Sequence, residues 1–112
     1  MEKPNITFED FQKVDIRIGT IIGVADFPEA KLPAFQLKID FGPLGVKNSS
    51  AQLTSLYRKE DLLHKQVAAV INFKPKQIAH FKSECLILGI QNAKDVVLLR
   101  AAQGIKNGTQ VL

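Results

Sequence analysis

Four lysines and a row of small polar residues carry the chemistry this sequence has to offer. Lys74 and Lys76 bracket Pro75 in the stretch Asn72-Phe73-Lys74-Pro75-Lys76-Gln77, with Lys82 a little further on. Proline has no N–H for a ladder and fixes its own φ, so a strand entering here must end near Phe73 and the chain must leave the sheet. Ammonium groups on such a loop suit phosphate oxygens, and an unpaired strand loses about 0.7 of a log unit in binding per phosphate gripped for each log unit of salt. Lys47-Asn48-Ser49-Ser50-Ala51-Gln52 is the second set: its hydroxyls and amides can bond sugar or base edges, or simply complete a polar strand edge. Phe73 and Phe81 flank the basic loop, where stacking on bases is worth about 1–3 kcal/mol each, although aromatics at strand ends more often join a core. On charge alone, a solvated lysine-rich surface explains the same residues.

Other chemistry is poorly served. His64, His80 and Cys85 cannot assemble a zinc set, and a lone cysteine inside an apolar run reads as a small core residue rather than a nucleophile. Glu60-Asp61 sits where a helix begins, so the dipole accounts for it without acid–base catalysis. No glycine loop of the phosphate-cradling kind is present. The reading is therefore of a binding protein with no catalytic residues, no metal and no cofactor.

The chain has 112 residues, the size of one domain spanning 1–112, and 46% hydrophobic content argues against disorder. No run of about 18 apolar residues is found, no basic segment precedes an apolar leader, and the single cysteine excludes an internal disulfide. These features lead us to expect a cytoplasmic protein without membrane insertion. The net charge of +4 is unevenly spread: residues 47–82 hold seven Lys/Arg against two Asp/Glu, whereas residues 1–46 hold five against seven. A polyanionic partner would meet the middle third.

The elements that must position these residues can be read in order. Thr7 with Asp10 three residues on predicts a capped helix start, with Phe8 and Phe11 on one side. Val14, Ile16 and Ile18 alternate with Asp15, Arg17 and Gly19 in a first strand that continues through Ile22, and Gly19 and Gly23 suggest bulges or sharp coiling. Phe35, Leu37, Ile39 and Phe41 alternate with Gln36, Lys38 and Asp40, the Gly42–Gly45 turn follows, and Val46–Gln52 should return antiparallel. Leu53–Leu63 has helical spacing. Val67–Ile71 is apolar on both faces, Cys85–Leu88 resumes as a strand, and Val96–Leu99 makes the last one. A helix between the third and fourth strands of a five-strand set is the element order of the oligonucleotide-binding (OB) barrel. We expect an all-β fold with short helices. The apolar Val111-Leu112 end should pack on a partner subunit, with the amino-terminal helix as the other interface candidate.

Lys47–Gln52, Asn72–Ala79 and Ser83-Glu84, preceded by Asp15–Gly19 and Asp26–Ala30, closely resemble the tRNA-binding-domain family, in particular its small, stand-alone, CsaA-like branch. The likeness runs from Phe8 to Asn107-Gly108. The resemblance implies a five-stranded OB-fold barrel with amino- and carboxy-terminal dimerisation extensions, a homodimer, tRNA as partner, and a chaperone role toward unfolded precursor proteins in export. It carries the family's strand-three motif onto Lys47, Ser49, Ser50 and Gln52, and its basic loop onto Asn72, Phe73, Lys76 and Gln77. Lys74 stands where the family more often has proline or an apolar residue, and Lys82 where it often has methionine; both should strengthen a phosphate grip. Leu32 replaces a common basic residue and weakens the basic character of its loop. The RNA-contacting set is thus Lys47, Ser49, Ser50, Gln52, Asn72, Lys74, Lys76, Gln77 and Lys82, reading shape and backbone more than sequence. An alternative is peptide capture by exposed Leu32, Phe35, Phe73 and Phe81 beside the basic residues.

Overall fold

A computed structural model describes residues 1–112. Helix α1 (Phe8–Gln12) forms because Thr7 and Asp10 close a reciprocal capping box, the Asp10 N–H donating to Thr7 Oγ1 at 3.0 Å. Strand β1 (Ile16–Asp26) is long enough to serve two neighbours. Its first half pairs antiparallel with β4 (Gln66–Val70), and its second half pairs with β2 (Phe35–Asp40). The register slips between Ile21 and Gly23, and this bulge coils the strand from one partner to the other. Gly19, for which bulge or sharp coiling is expected, lies outside this register slip. A Cβ there would sit 2.7 Å from both Ile39 Cγ2 and the Phe41 ring, so glycine lets β1 lie directly on the core.

Strand β3 (Val46–Ala51) returns along β2, and β7 (Leu86–Ile87) pairs with β4, giving the sheet order β3-β2-β1-β4-β7. Two small hairpins stand outside this sheet: β5 (Lys76–Ile78) with β6 (Phe81–Ser83), and β8 (Gly89–Asn92) with β9 (Asp95–Leu98). The inward side chains of β2, Phe35, Leu37 and Ile39, join Ile21, Phe41, Leu53, Leu62, Val67, Ala69, Cys85 and Leu98 in one core. This is the all-β, five-stranded OB-type barrel that the strand pattern predicts.

The helix expected over Leu53–Leu63 shrinks to the single turn α2 (Lys59–Leu62). The Arg58 N–H donates to Asp61 Oδ2 at 2.8 Å, and that bond, reinforced by the Arg58 charge, holds the Asp61 carboxyl below its usual pKa. Leu53 and Leu62 still reach the core, because a turn ahead of the helix brings them to the same place.

The barrel closes without a regular ladder. The segment Ser83–Cys85 lies against β3. The Glu84 N–H donates to the Asn48 carbonyl at 2.8 Å, the Asn48 N–H donates to Glu84 Oε1 at 3.0 Å, and the Ser50 N–H donates to Ser83 Oγ at 3.2 Å. Side chains make the larger part of this seam.

At the other end, the tail from Ile105 to Val111 runs beside the first half of β1. The Ile18 N–H donates to the Thr109 carbonyl, and the Gly108 and Val111 N–H groups donate to the carbonyls of Ile18 and Ile16. Gln66 and Thr20 hold Asn107 from below. Val111 is therefore tied first to its own chain, while Leu112 stays 97% exposed.

Candidate nucleic-acid interface

The pleat of β3 decides which of its residues can face outward. Lys47, Ser49 and Ala51 stand opposite the core residues Ile39, Leu37 and Phe35 of β2, so their side chains point to the barrel interior. Ser49 is 0% exposed and its Oγ donates to the Cys85 carbonyl at 2.9 Å. The expectation that Ser49 touches RNA is corrected on this ground: a hydroxyl sealed in the core and bonded across the seam has no access to a ligand. Lys47 shares that inner parity but lies at the strand end, where it is half-buried near Cys85. Asn48, Ser50 and Gln52 have the outward parity.

Ser50 and Gln52 line a groove of about 650 Å³. Lys76, Gln77, Ile78 and Ala79 of the β5–β6 hairpin form another part of its wall, and the loop Glu29–Leu32 contributes a third. The serine–glutamine strand and the proline-broken loop, some twenty-five residues apart in sequence, thus meet on one face. A neighbouring cleft of about 390 Å³ is lined by Phe73, Lys74, Lys76, Ser83, Glu84, Cys85 and Leu86. Lys76, Ser83, Cys85 and Leu86 belong to both depressions. The ion pairs of the molecule engage only Lys13, Arg17, Arg58 and Lys59, which leaves the ammonium groups of Lys31, Lys47, Lys74 and Lys76 free of carboxylate partners.

Other candidates are placed differently. Lys82 faces Gln77 across the hairpin, on the side opposite Lys76 and Ser83, and lines neither depression. Asn72 is exposed but its amide is a clip: Nδ2 donates to the Lys13 carbonyl at 2.7 Å and Oδ1 accepts from the Asp15 N–H at 3.0 Å. Gln77 Nε2 donates to the Ala79 carbonyl at 2.9 Å and so stiffens the hairpin turn, where Ala79 has φ of 53°.

The peptide-capture set divides. Leu32 and Phe73 are 59% and 56% exposed. Phe35 is corrected: it is buried at 7% because it continues the inward parity of Leu37 and Ile39. Phe81 is half-buried, its ring edge-on to Phe27 with centroids 5.3 Å apart. The contribution of Lys31, Ser83, Glu84 and Leu86 to this face was missed. Ser83 and Glu84 were legible as part of a motif, but only the barrel seam shows why they lie beside β3.

Cys85 is buried, and that burial pushes its thiol up to about 11, so it stays protonated at neutral pH. No helix is long and apolar enough to cross a membrane.

Residues 16–110 match the family model described as "Putative tRNA binding domain". Among curated relatives, the methionine–tRNA ligase of Pyrococcus horikoshii is 36% identical over 110 residues, which is 98% of this chain and 15% of the ligase. The chain thus spans a small part of the length of the ligases it matches. Among solved structures, chaperone CsaA from Bacillus anthracis is 50% identical with a TM-score of 0.91, covering 97% of this chain and all of that one (100%). The CsaA chaperone protein from Picrophilus torridus is 49% identical at the same TM-score of 0.91, covering 96% and 100%.

Proposed function

Because the chain belongs to the tRNA-binding domain family, we propose that it binds tRNA along the face where β3 meets the β5–β6 hairpin. The observation that carries this reading is the shared groove: Ser50 and Gln52 supply neutral hydrogen-bonding groups beside Lys76, with Lys31 and Lys74 close by and no ion pair on any of the three. Ammonium groups track the phosphates by counterion release, and the serine and glutamine reach sugar or base edges, so recognition is chiefly of backbone and shape. Lys47, at the end of β3, adds charge at the margin of this face, and Lys82 adds charge on the far side of the same hairpin. The proposed role is that of a non-catalytic RNA-binding module of the cytoplasm.

Titration of tRNA at several salt concentrations tests it. A Lys74→Ala/Lys76→Ala variant should bind more weakly, with a flatter dependence of affinity on salt. Equal affinity and equal slope for the two proteins would reject this face.

The proposed unit is a homodimer. Helix α1 and the tail line one apolar cleft through Phe8, Phe11, Val14, Val111 and Leu112, with Phe8 and Leu112 largely exposed. Two basic faces on one particle would raise the effective affinity for a large folded RNA. Mass in solution should halve when Val111 and Leu112 are deleted; an unchanged mass would move the interface elsewhere.

A second reading is suggested by the exposure of Leu32 and Phe73 beside the lysines, and by the name chaperone carried by both CsaA structures. In it, the same face holds unfolded precursor proteins during export. Capture through apolar contact would persist at high salt, where tRNA binding fades. If no precursor peptide binds and a client's aggregation is not slowed, this reading fails.

A further inference from the structure

The smaller cleft beside the groove has a composition that phosphate binding alone does not explain. Two of its residues, Phe73 and Leu86, are large, apolar and about half exposed. Phe73 differs from Phe81 in having no aromatic neighbour, whereas Phe81 is occupied by Phe27. An uncommitted ring at the surface offers a stacking face to any base. The cleft, at about 390 Å³, falls within the range of about 300–1,000 Å³ typical of small-ligand sites.

The cleft also contains a carboxylate. Glu84 Oε1 accepts the Asn48 N–H at 3.0 Å, and Oε2 has no partner. Neither Lys74 nor Lys76 is close enough to pair with it. A free carboxylate oxygen repels phosphate. It can accept from a base that turns N–H groups toward it, as carboxylates accept from exocyclic amines elsewhere. Among the four bases, only guanine presents two adjacent donors on its Watson–Crick edge, N1–H and N2–H₂, beside an acceptor, O6, that suits an ammonium group. Uracil presents a single N–H flanked by two carbonyl oxygens, which a carboxylate disfavours.

We propose that this cleft is a single-nucleotide pocket that takes an unpaired guanine, stacked on Phe73 and read by Glu84, while Lys74 and Lys76 hold the flanking phosphates. The pocket deepens the tRNA-binding reading and rests on it. Backbone grip alone would give no base preference; this pocket gives one.

The test uses the full chain and four five-nucleotide single-stranded RNAs: all uridine, and uridine with a central guanosine, adenosine or inosine. Affinity is followed by fluorescence anisotropy, with tRNA titrated in parallel. The guanosine strand should bind tightest, with inosine, which lacks the 2-amino group, weaker. Phe73→Ala should weaken the guanosine strand by roughly 5- to 150-fold without changing the salt slope. Glu84→Gln removes the repulsion of phosphate, so overall affinity should rise or hold while the preference for guanosine over uridine collapses. A merely structural role for Glu84 would leave that ratio unchanged, and thermal denaturation reports any loosening of the seam. Equal binding of the four strands, or no effect of Phe73→Ala on the guanosine strand, overturns the pocket. If tRNA still binds in a Lys74/Lys76-dependent way in that case, the broader reading survives. A wild-type protein that binds neither tRNA nor the short strands overturns both.

Discussion

Replacing Ser49 with alanine separates the scaffold from the binding face. The Ser49 hydroxyl is fully buried and donates at 2.9 Å to the carbonyl of Cys85, across the seam that closes the barrel. Ser49→Ala leaves that carbonyl without its donor in a site water does not reach. The cost of such an unsatisfied buried group is about 1–3 kcal/mol. A domain of this size shifts its midpoint by about 4 °C per kcal/mol, so melting should fall by roughly 4–12 °C. Circular dichroism melts and urea titrations measure the change, and tRNA affinity is then taken well below the lowered midpoint, where the variant is folded. There, affinity should equal that of the wild type. Ser50→Ala, one residue along and facing the groove, should show the opposite: unchanged melting and weakened tRNA binding. If Ser49→Ala instead lost tRNA affinity at unchanged stability, the inward assignment of its parity would be refuted.

Further outcomes follow from the same geometry. The Lys74→Ala/Lys76→Ala variant should lower the slope of log affinity against log salt by about 1.4, two phosphates at about 0.7 each, measured by tRNA titration. Gly19→Val should destabilise by about 1–3 kcal/mol in urea unfolding, because even the first carbon of a side chain there meets Ile39 and Phe41 at 2.7 Å. The folded Cys85 thiol holds its proton to about 11, against 9.0 when unperturbed. Between those values the unfolded chain binds fewer protons than the folded one, so stability present below pH 9 declines as pH rises through the window. A Cys85→Ala variant should show a shallower decline over that range, and in the wild type alkylation of the folded thiol at pH 8 should be much slower than after unfolding.

Strand identity was legible because two-residue alternation is enforced by burial: Phe35, Leu37 and Ile39 do line the core as their spacing says. The same rule, carried across to β3, puts Ser49 and Ser50 on opposite faces. The family resemblance nevertheless carries both onto RNA, because a motif is a string and has no faces. The peptide-capture set counts Phe35 as exposed beside basic residues, against its own strand pattern. The helical spacing of Leu53, Leu56, Tyr57, Leu62 and Leu63 was real but ambiguous. Turns that gather Leu53, Tyr57 and Leu62 on one core leave the same periodicity as a continuous helix. The hairpin of β5 and β6 turns at Ala79 with φ of 53°, a conformation for which the sequence offers neither glycine nor asparagine, so no turn signal announced it. What brought Lys76 beside Ser50 was long-range closure, invisible to any local pattern.

The closure itself leaves the wall proposed to face a ligand without a regular ladder. Between β3 and residues 83–85 the chain relies on a few amide bonds and on the side chains of Ser83 and Glu84, where β1 has full ladders with β2 and β4. A molecule lying across this joint would clamp its two lips together. The amides of Asn48, Ser50 and Glu84 should then exchange with deuterium more slowly in the complex, while those buried between β1 and β4 hardly change, so that occupancy is written into the breathing of one line of the barrel.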